Sequence, residues 1–203
     1  MNVLIGCEYS GTVRDAFLAK GHNAFSNDII DTESKPERHI KGDIVDAINS
    51  CQWDLIIIHT PCTAMGVCGN STYARGKPKH AERVAAIDWS LSVWDAAVAN
   101  AGSVAMENPA SVLFTHLRKH RKADIQYVQP YQFGHMEQKK TGLALHGLPR
   151  LEETKNVYAA MMMLPKKERE RIFYMPPSPD RGKERARFFP GFADAMAHQW
   201  GRV

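Results

Sequence analysis

The stretch Trp53 to Cys68, WDLIIIHTPCTAMGVC, decides how the rest of the chain is interpreted. Its apolar run, Leu55 to Ile58, is too short for a helix and too continuous for a strand with one face in solvent. Such a run is typical of a strand buried within a parallel sheet. Pro61 lacks the N–H that a central strand needs, so Cys62 must lie on a loop just past the strand. Open α/β sheets bind ligands at the carboxyl ends of their strands, and we therefore predict Cys62 at a ligand crevice.

The cysteine itself has two interpretations. A thiol on a loop of small residues at a crevice suits a nucleophile, whereas a free cysteine is more commonly a small, half-buried apolar side chain. Its position directly after the strand and beside a proline favours the nucleophile. A metal site is a further alternative, but the spacing of the candidate ligands matches no structural zinc pattern, and we predict no metal. Those candidates are His59, Cys62, Cys68 and His80.

Composition indicates a globular protein with a single domain, residues 1–203. Of the 203 residues, 44% are hydrophobic and 24% charged, which is enough to bury a core. No apolar stretch is long enough to span a membrane, and the amino terminus enters a strand without a signal-type leader. Four cysteines without a Cys-x-x-Cys pair fit reduced thiols, so we predict a cytoplasmic protein. The net charge of +4 permits a nucleic-acid partner without requiring one.

The amino-terminal part predicts a strand, turn and helix unit. Asn2 to Gly6 is a short apolar strand, and the turn Tyr9-Ser10-Gly11 leads into a helix from Thr12 to Lys20. A second short strand, Asn23 to Ser26, is followed by Asp28. An acid in this position binds ribose hydroxyls in folds of this type, or it is a plain turn aspartate.

Further elements follow from the same patterns. Glu107-Asn108-Pro109 comes after a predicted strand and should face Cys62 across the crevice. Arg75 to Arg83 is predicted as a mobile basic loop, either a lid that contacts phosphate or a solvated loop. The remaining predictions are helices at Ala81 to Ala101, Leu113 to Lys122 and Phe192 to Trp200, strands at Ser103 to Met106 and Thr141 to Leu145, and extended chain at Tyr127 to Phe133. For the long helix we predict a buried stripe of Val84, Ile87, Trp89, Leu91, Trp94 and Val98.

The order of these strand-end motifs resembles the cofactor domain of the cytosine carbon-5 DNA methyltransferases, with short, phage-type members most similar. The motifs are Tyr-Ser-Gly, an acid after the second strand, Gly-Asp-Ile, Pro-Cys and Glu-Asn-Pro. The likeness runs from Val3 to about Leu145 and resumes near Arg187. It implies a Rossmann-like α/β fold for an S-adenosylmethionine-dependent methyltransferase, with a mostly parallel sheet and helices on both faces.

The resemblance also implies roles for individual residues. The implied cofactor-binding residues for S-adenosylmethionine are Tyr9, Ser10, Gly11, Asp28, Asp43, Ile44 and Pro61. Among them, Asp28 is similar to the ribose-binding acid, and Asp43 and Ile44 are similar to the adenine contacts. The implied catalytic residues are Cys62, Glu107, Gln138 and Lys140.

Each implied catalytic role has a chemical reason. Carbon-5 of cytosine is too electron-poor to take a methyl group until a thiolate from Cys62 adds to carbon-6. Glu107 holds ring nitrogen 3 as charge develops there, while Gln138 and Lys140 support the pyrimidine and the Cys loop. Pro190 to Met196 is similar to the last motif of the family, which returns to the cofactor pocket.

Several positions depart from the family pattern. The second glycine of the first loop is Val13, and Lys140 stands where an arginine is expected, which removes bidentate geometry. Residues 151–180 form only a small insert or connector in place of a target-recognition domain. DNA is the predicted partner, with a single strand or a free pyrimidine nucleotide as alternatives, and the oligomeric state is unknown. An inactive binding module of the same fold is the alternative from a different functional class.

Overall fold

A seven-stranded sheet forms the centre of the protein, as described by a computed structural model that covers residues 1–202. The strand order is β3-β2-β1-β4-β5-β7-β6. Strand β7 runs antiparallel to both of its neighbours, and the other pairs are parallel. The strands are β1 (Asn2–Gly6), β2 (Asn23–Asp28), β3 (His39–Lys41), β4 (Leu55–His59), β5 (Ser103–Pro109), β6 (Asp124–Val128) and β7 (Thr141–His146).

Helices connect the strands and follow the sheet. They are α1 (Thr12–Ala19), α2 (Ile44–Asn49), α3 (Asn70–Tyr73), α4 (His80–Asn100), α5 (Leu113–Arg121), α6 (Tyr158–Met162), α7 (Lys166–Arg169), α8 (Arg171–Tyr174), α9 (Arg181–Ala186) and α10 (Pro190–Trp200). None of the helices in residues 1–202 is long and apolar enough to cross a membrane. The predicted α/β class and mostly parallel sheet are confirmed.

The sheet is covered on both faces because its central strands alternate between two cores. In β1, Leu4 packs into one apolar cluster, while Val3 and Ile5 pack into the other. The first cluster contains residues of α2, α4 and α5, such as Trp94. The second contains residues of α1 and α10, such as Phe17. A strand buried on both faces requires a continuous apolar run, which is why β4 reads LIIIH.

Two of the predicted segments near the site have different bounds in the structure. The predicted strand from Ser103 to Met106 extends to Pro109, because β7 pairs with β5 as far as Pro109 opposite Thr141. Glu107 and Asn108 therefore lie within a strand and not after it. The predicted extended segment from Tyr127 to Phe133 is wrong in its second half. The chain turns at Pro130, where a 3-10 helix is held by reciprocal hydrogen bonds of Gln129 and Gln132.

The buried face of α4 also differs from the predicted stripe. Val84 is exposed, and the buried residues include Arg83, Ser90 and Ala97. Two polar side chains, Arg83 and Ser90, thus lie on the inner face of the helix. Because the prediction looked for apolar residues at helical spacing, it chose a face that excludes these two side chains.

The crevice opens where the strand order reverses. From β1 the chain proceeds to β2 and β3 on one side, and from β4 it proceeds to β5 on the other. The loops after β1 and β4 therefore diverge, which is the usual ligand position in open α/β sheets.

Candidate active site

A crevice of about 580 Å³ lies at the carboxyl ends of β1, β2, β4 and β5. This volume is within the range of small-molecule sites. The predicted site residues that line it are Tyr9, Ser10, Asp28, Asp43, Ile44, Pro61, Cys62 and Glu107. The structure therefore brings together residues that are up to about half the chain apart in sequence.

The Cys62 loop is a tight turn that a buried arginine holds in place. The carbonyl of Cys62 accepts hydrogen bonds from the N–H groups of Met65 and Gly66, at 3.1 and 2.8 Å. Arg83 donates to the carbonyls of Ala64 and Gly66 at 2.7 and 3.2 Å. Arg83, predicted within a mobile basic loop, is therefore a buried helix residue that organises the Cys loop and does not serve as a phosphate lid.

The thiol of Cys62 is half-buried and surrounded by charges of both signs. Burial raises its pKa, repulsion by Glu107 raises it further, and the cations Lys139 and Arg185 lower it. A second crevice thiol, Cys7, is more strongly affected, because burial raises its pKa to about 12. Of the two, Cys62 is the one with nearby cations that favour the thiolate.

His59 and Glu107 form a pair on the crevice floor. They are register partners in β4 and β5, and Nδ1 of His59 lies 3.2 Å from Oε2 of Glu107. Asn108 ties the two strand ends together, since its side-chain amide donates to the carbonyl of Thr60 at 2.9 Å and to Oγ1 at 3.0 Å. Asn108 thus acts on the backbone beside the site.

Glu8 occupies the amino-terminal end of α1. Its carboxylate accepts hydrogen bonds from the backbone N–H groups of Val13 at 2.7 Å and Arg14 at 3.2 Å, and the residue is 4% exposed. Burial raises the pKa of Glu8, while His59 and the two N–H donors oppose the rise. The chain reaches this arrangement because Cys7 adopts a left-handed conformation with φ of 57°.

Gly11, in the loop after β1, leaves room for the side chain of Arg14. Gly11 has φ of 73°, and a Cβ there would meet the guanidinium of the fully buried Arg14 at about 2.1 Å. Gly11 is not among the crevice-lining residues, in contrast to Tyr9 and Ser10. Val13, at the position of the expected second glycine, is fully buried in the core and does not line the crevice.

Asp28, the last residue of β2, and Asp43, just after β3, have local structural roles at the crevice. Oδ1 of Asp28 accepts from the N–H of Ile30 at 3.3 Å, the geometry of a turn aspartate. Asp43 caps α2 by accepting from the N–H of Val45 at 2.7 Å. Both residues also line the crevice, so a structural role and a binding role coexist.

The predicted support residues Gln138 and Lys140 are not among the residues that line the crevice. The ammonium group of Lys140 lies 4.6 Å from the ring centre of Tyr127, and Lys140 is exposed. Lys139 lines the crevice instead, with its Nζ donating to the carbonyl of Arg185 at 3.0 Å. Side chains alternate along extended chain, so Lys139 shares a face with the buried Thr141 and Lys140 faces away.

One wall of the crevice comes from the carboxyl-terminal part of the chain. Gly182, Arg185 and Phe188 contribute to it, together with Arg187. Arg187 makes a two-pronged ion pair with Glu33, at 2.9 Å for each contact. This wall and the residues Glu8, His59 and Lys139 were not predicted as site residues. The alternation of side-chain direction along the extended chain before β7 could have indicated Lys139 as a site residue. For His59, the indication was its closeness to Cys62 in the sequence.

The four candidate metal ligands do not form a metal centre. Within residues 1–202, no group of three or more His, Cys, Asp or Glu side chains is arranged to hold a metal ion. His80 instead uses Nδ1 in a 3.2 Å contact with the carbonyl of Tyr73.

The comparisons with known proteins identify the fold. No protein-family model and no curated protein matches this chain. Among solved structures, the methyltransferase EhMeth of Entamoeba histolytica is similar with a TM-score of 0.50 and 13% identity, covering 77% of this chain and 57% of that one. The chain has a methyltransferase fold. It spans little more than half the length of this neighbour.

Two further structures lie close to the same level of similarity. The S. pombe Dnmt2 methyltransferase has a TM-score of 0.48 and 15% identity over 84% of this chain and 56% of that one. A protein described as a DNA modification methyltransferase encoded within an E. coli prophage has a TM-score of 0.48 and 13% identity, over 82% and 56% of the two chains.

Proposed function

We propose that this protein transfers a methyl group from S-adenosylmethionine to carbon-5 of cytosine in DNA, through a covalent adduct with Cys62. The proposal rests on the position of Cys62 and Glu107, whose side chains line one crevice. The same crevice is also lined by Asp28, Asp43 and Ile44. A nucleophile and an acid for a pyrimidine ring thus stand next to groups suited to a nucleoside. The methyltransferase fold supports the same reading at the level of architecture.

The crevice fits S-adenosylmethionine in size and in chemistry. Asp28 presents a carboxylate where a ribose would lie, and Ile44 supplies an apolar surface for adenine beside Asp43. Tyr9 and Ser10 line the part of the crevice next to the buried carboxylate of Glu8. When bound, the cofactor supplies the methyl group. Gly11 contributes by allowing the turn that carries Tyr9 and Ser10, and not by contact.

The residues of the chain perform the steps on the base. The Cys62 sulfur adds to carbon-6 of the pyrimidine, and electron density moves toward carbon-5 and ring nitrogen 3. Glu107 stabilises that density by donating its proton to ring nitrogen 3. After carbon-5 has taken the methyl group, it loses its proton to water and the bond between the sulfur and carbon-6 breaks, which restores the aromatic ring and frees Cys62. Lys139 and Arg185 favour the thiolate form of Cys62, because they lower its pKa against the effects of burial and of Glu107.

Cations at the mouth of a mixed-charge crevice support DNA as the substrate. Lys139 and Arg185 line the crevice, whereas Arg187 is paired with Glu33, and contacts between such cations and phosphates supply most non-specific affinity for nucleic acids. A base in a duplex would have to be extruded to reach Cys62. The experiment below tests this proposal against two alternatives. In one the substrate is a free pyrimidine nucleotide, and in the other the protein is an inactive binding module.

Covalent trapping tests the proposal. We incubate the protein with S-adenosylmethionine and with single- or double-stranded DNA that contains 5-fluorocytosine. Release of the adduct requires loss of a proton from carbon-5, and because fluorine takes the place of that hydrogen, the adduct persists. We expect an adduct with the wild type and with Cys68→Ala, and none with Cys62→Ala. Binding of S-adenosylmethionine, measured by calorimetry, should survive in Cys62→Ala and weaken in Asp28→Ala.

The negative outcomes separate the alternatives. Cofactor binding without an adduct on either DNA would refute the DNA substrate, and methylation of a free pyrimidine nucleotide would then identify the alternative. Absence of cofactor binding would leave the binding module. An adduct that persists in Cys62→Ala would refute the assigned nucleophile.

A further inference from the structure

The polar contacts of His59 point in one direction. Its Nδ1 lies 3.2 Å from Glu107, while Nε2 is buried and has no hydrogen-bond partner among residues 1–202. The imidazole ring packs against the ring of Phe188, with centroids 4.9 Å apart. Among the residues that the structure describes, the Glu107 carboxyl is therefore the only hydrogen-bond partner of the imidazole, and the buried Glu8 carboxylate is a further charged neighbour.

Leaving Nε2 unpaired has a cost. A buried polar group without a partner destabilises a fold, whereas an apolar ring in the same place would not. A residue that served only to pack against Phe188 would be better as an apolar side chain. The contact through Nδ1 is the feature of His59 that an apolar ring could not replace.

The contact makes the two oxygens of Glu107 unequal. Oε2 faces His59, and Oε1 accepts no hydrogen bond from the residues that the structure describes, although Glu107 lines the crevice. The side chains of His59 and Glu107 are 13% and 10% exposed, so neither has much freedom to move. Asn108 fixes the strand ends beneath them through its bonds to Thr60.

The two residues predicted to support the pyrimidine, Gln138 and Lys140, do not line the crevice. Lys140 lies over Tyr127, outside the crevice. Lys139, which does line the crevice, uses its ammonium group on the carbonyl of Arg185. Neither lysine is among the recorded hydrogen-bond partners of Glu107, and His59 is the side chain that holds it.

We infer that His59 is a positioning residue that holds Glu107 by Oε2 and so directs Oε1 at ring nitrogen 3 of the pyrimidine. The inference rests on the proposed function. His59 acts on the base through Glu107, while its other charged neighbour, Glu8, is held by the backbone N–H groups of Val13 and Arg14. Misdirection of a reacting group by about 1 Å can slow a reaction about 100-fold, so loss of this contact should be visible in the rate of adduct formation.

Three substitutions at His59 distinguish positioning from packing. The amide of asparagine reaches about as far as Nδ1, that of glutamine about as far as Nε2, and phenylalanine keeps the ring without polar atoms. At saturating DNA that contains 5-fluorocytosine, we expect His59→Phe and His59→Gln to form the Cys62 adduct about 10–100-fold more slowly than the wild type. His59→Asn should stay within about 5-fold of the wild type. Calorimetric affinity for S-adenosylmethionine should be unchanged in all three, and His59→Phe, which removes the unpaired nitrogen, should melt no lower than the wild type.

A double-mutant cycle on the rate of adduct formation distinguishes a positioning role of His59 from a packing role. Because His59 acts through Glu107, His59→Phe should slow the reaction in the wild-type background and have almost no further effect in Glu107→Gln. Equal slowing in both backgrounds, equal loss in the Asn and Phe variants, or a wild-type rate in His59→Phe would overturn the inference while leaving the proposed function standing. Absence of any adduct with the wild-type protein would overturn both.

Discussion

Cys62 carries a thiol whose surroundings retain its proton. Burial is the largest cause of its raised pKa, and Glu107, the residue proposed to act on the same base, adds repulsion. Lys139 and Arg185 act in the opposite sense. The proposed nucleophile therefore depends on cations from a later part of the chain to favour its thiolate form.

Removal of the Lys139 charge should raise the pKa of Cys62 further. Only the thiolate reacts with iodoacetamide, so in Lys139→Gln the pH at which Cys62 alkylation reaches half its maximal rate should shift to higher pH. Alkylation of each cysteine is followed by peptide mass spectrometry, because Cys51 and Cys68 are exposed and react as well.

Lys140→Gln is the matched control for this experiment. It removes the same charge from the neighbouring residue, whose ammonium group lies over Tyr127. Its Cys62 profile should coincide with that of the wild type. Equal shifts in the two variants would show that Lys139 has no specific effect on the thiol.

At the scale of elements, α4 supports the loop after β4 that carries Cys62. Its first turns place Arg83, 5% exposed, against the loop after β4, where it also donates to Oδ1 of Asn70 at 2.8 Å. Hydrogen bonds from a charged group are stronger than neutral ones, and their loss would leave the carbonyl of Ala64 without a donor, while that of Gly66 would keep only the N–H of Gly69. Arg83 thus connects helix packing to the position of Cys62.

Arg83→Met should lower the free energy of unfolding by about 2–4 kcal/mol, measured by urea titration, because three charge-assisted hydrogen bonds are lost. It should also slow adduct formation at Cys62 at temperatures where the variant is folded. Arg75→Met, at an exposed position in the preceding loop, should change stability by less than about 0.5 kcal/mol. A neutral effect of Arg83→Met would contradict the supporting role.

On the scale of the whole molecule, the net charge is concentrated in one segment. Residues 158–188 contain eight Lys or Arg and four Asp or Glu, which gives +4, the same as the formal charge of the whole chain. This segment includes α6, α7, α8 and α9 and carries exposed aromatic side chains, among them Phe173 and Tyr174. Basic and aromatic residues together are typical of surfaces that bind single-stranded nucleic acid.

Neutralising this segment should weaken DNA binding in a salt-dependent way. For Lys166→Gln, Lys167→Gln and Lys183→Gln combined, the slope of log K against log salt for a single-stranded oligonucleotide should fall by up to about 2, at roughly 0.7 for each lost phosphate contact. Fluorescence anisotropy at several salt concentrations measures the slope. The combination of Arg118→Gln, Lys119→Gln and Lys122→Gln removes the same charge from the end of α5 and should change the slope less. Equal changes would indicate that only net charge matters.

What the sequence by itself determined is local. The apolar run of β4, the proline after it and the helical periods of α1 and α10 depend on near neighbours, and they placed Cys62 at a strand end. The fold class followed from the same patterns, because a strand buried on both faces requires helices on both sides of the sheet.

Only the tertiary structure decided which polar groups meet. His59 faces Glu107 because β4 and β5 pair in that register, and Glu107 lies within a strand because β7 pairs alongside it. Lys139, and not Lys140, lines the crevice, because the direction of a side chain depends on where the strand begins. Arg83 became a core residue because the loop after β4 offers it carbonyls. Contacts between residues far apart in sequence depend on register and packing of the whole chain, which local patterns do not contain.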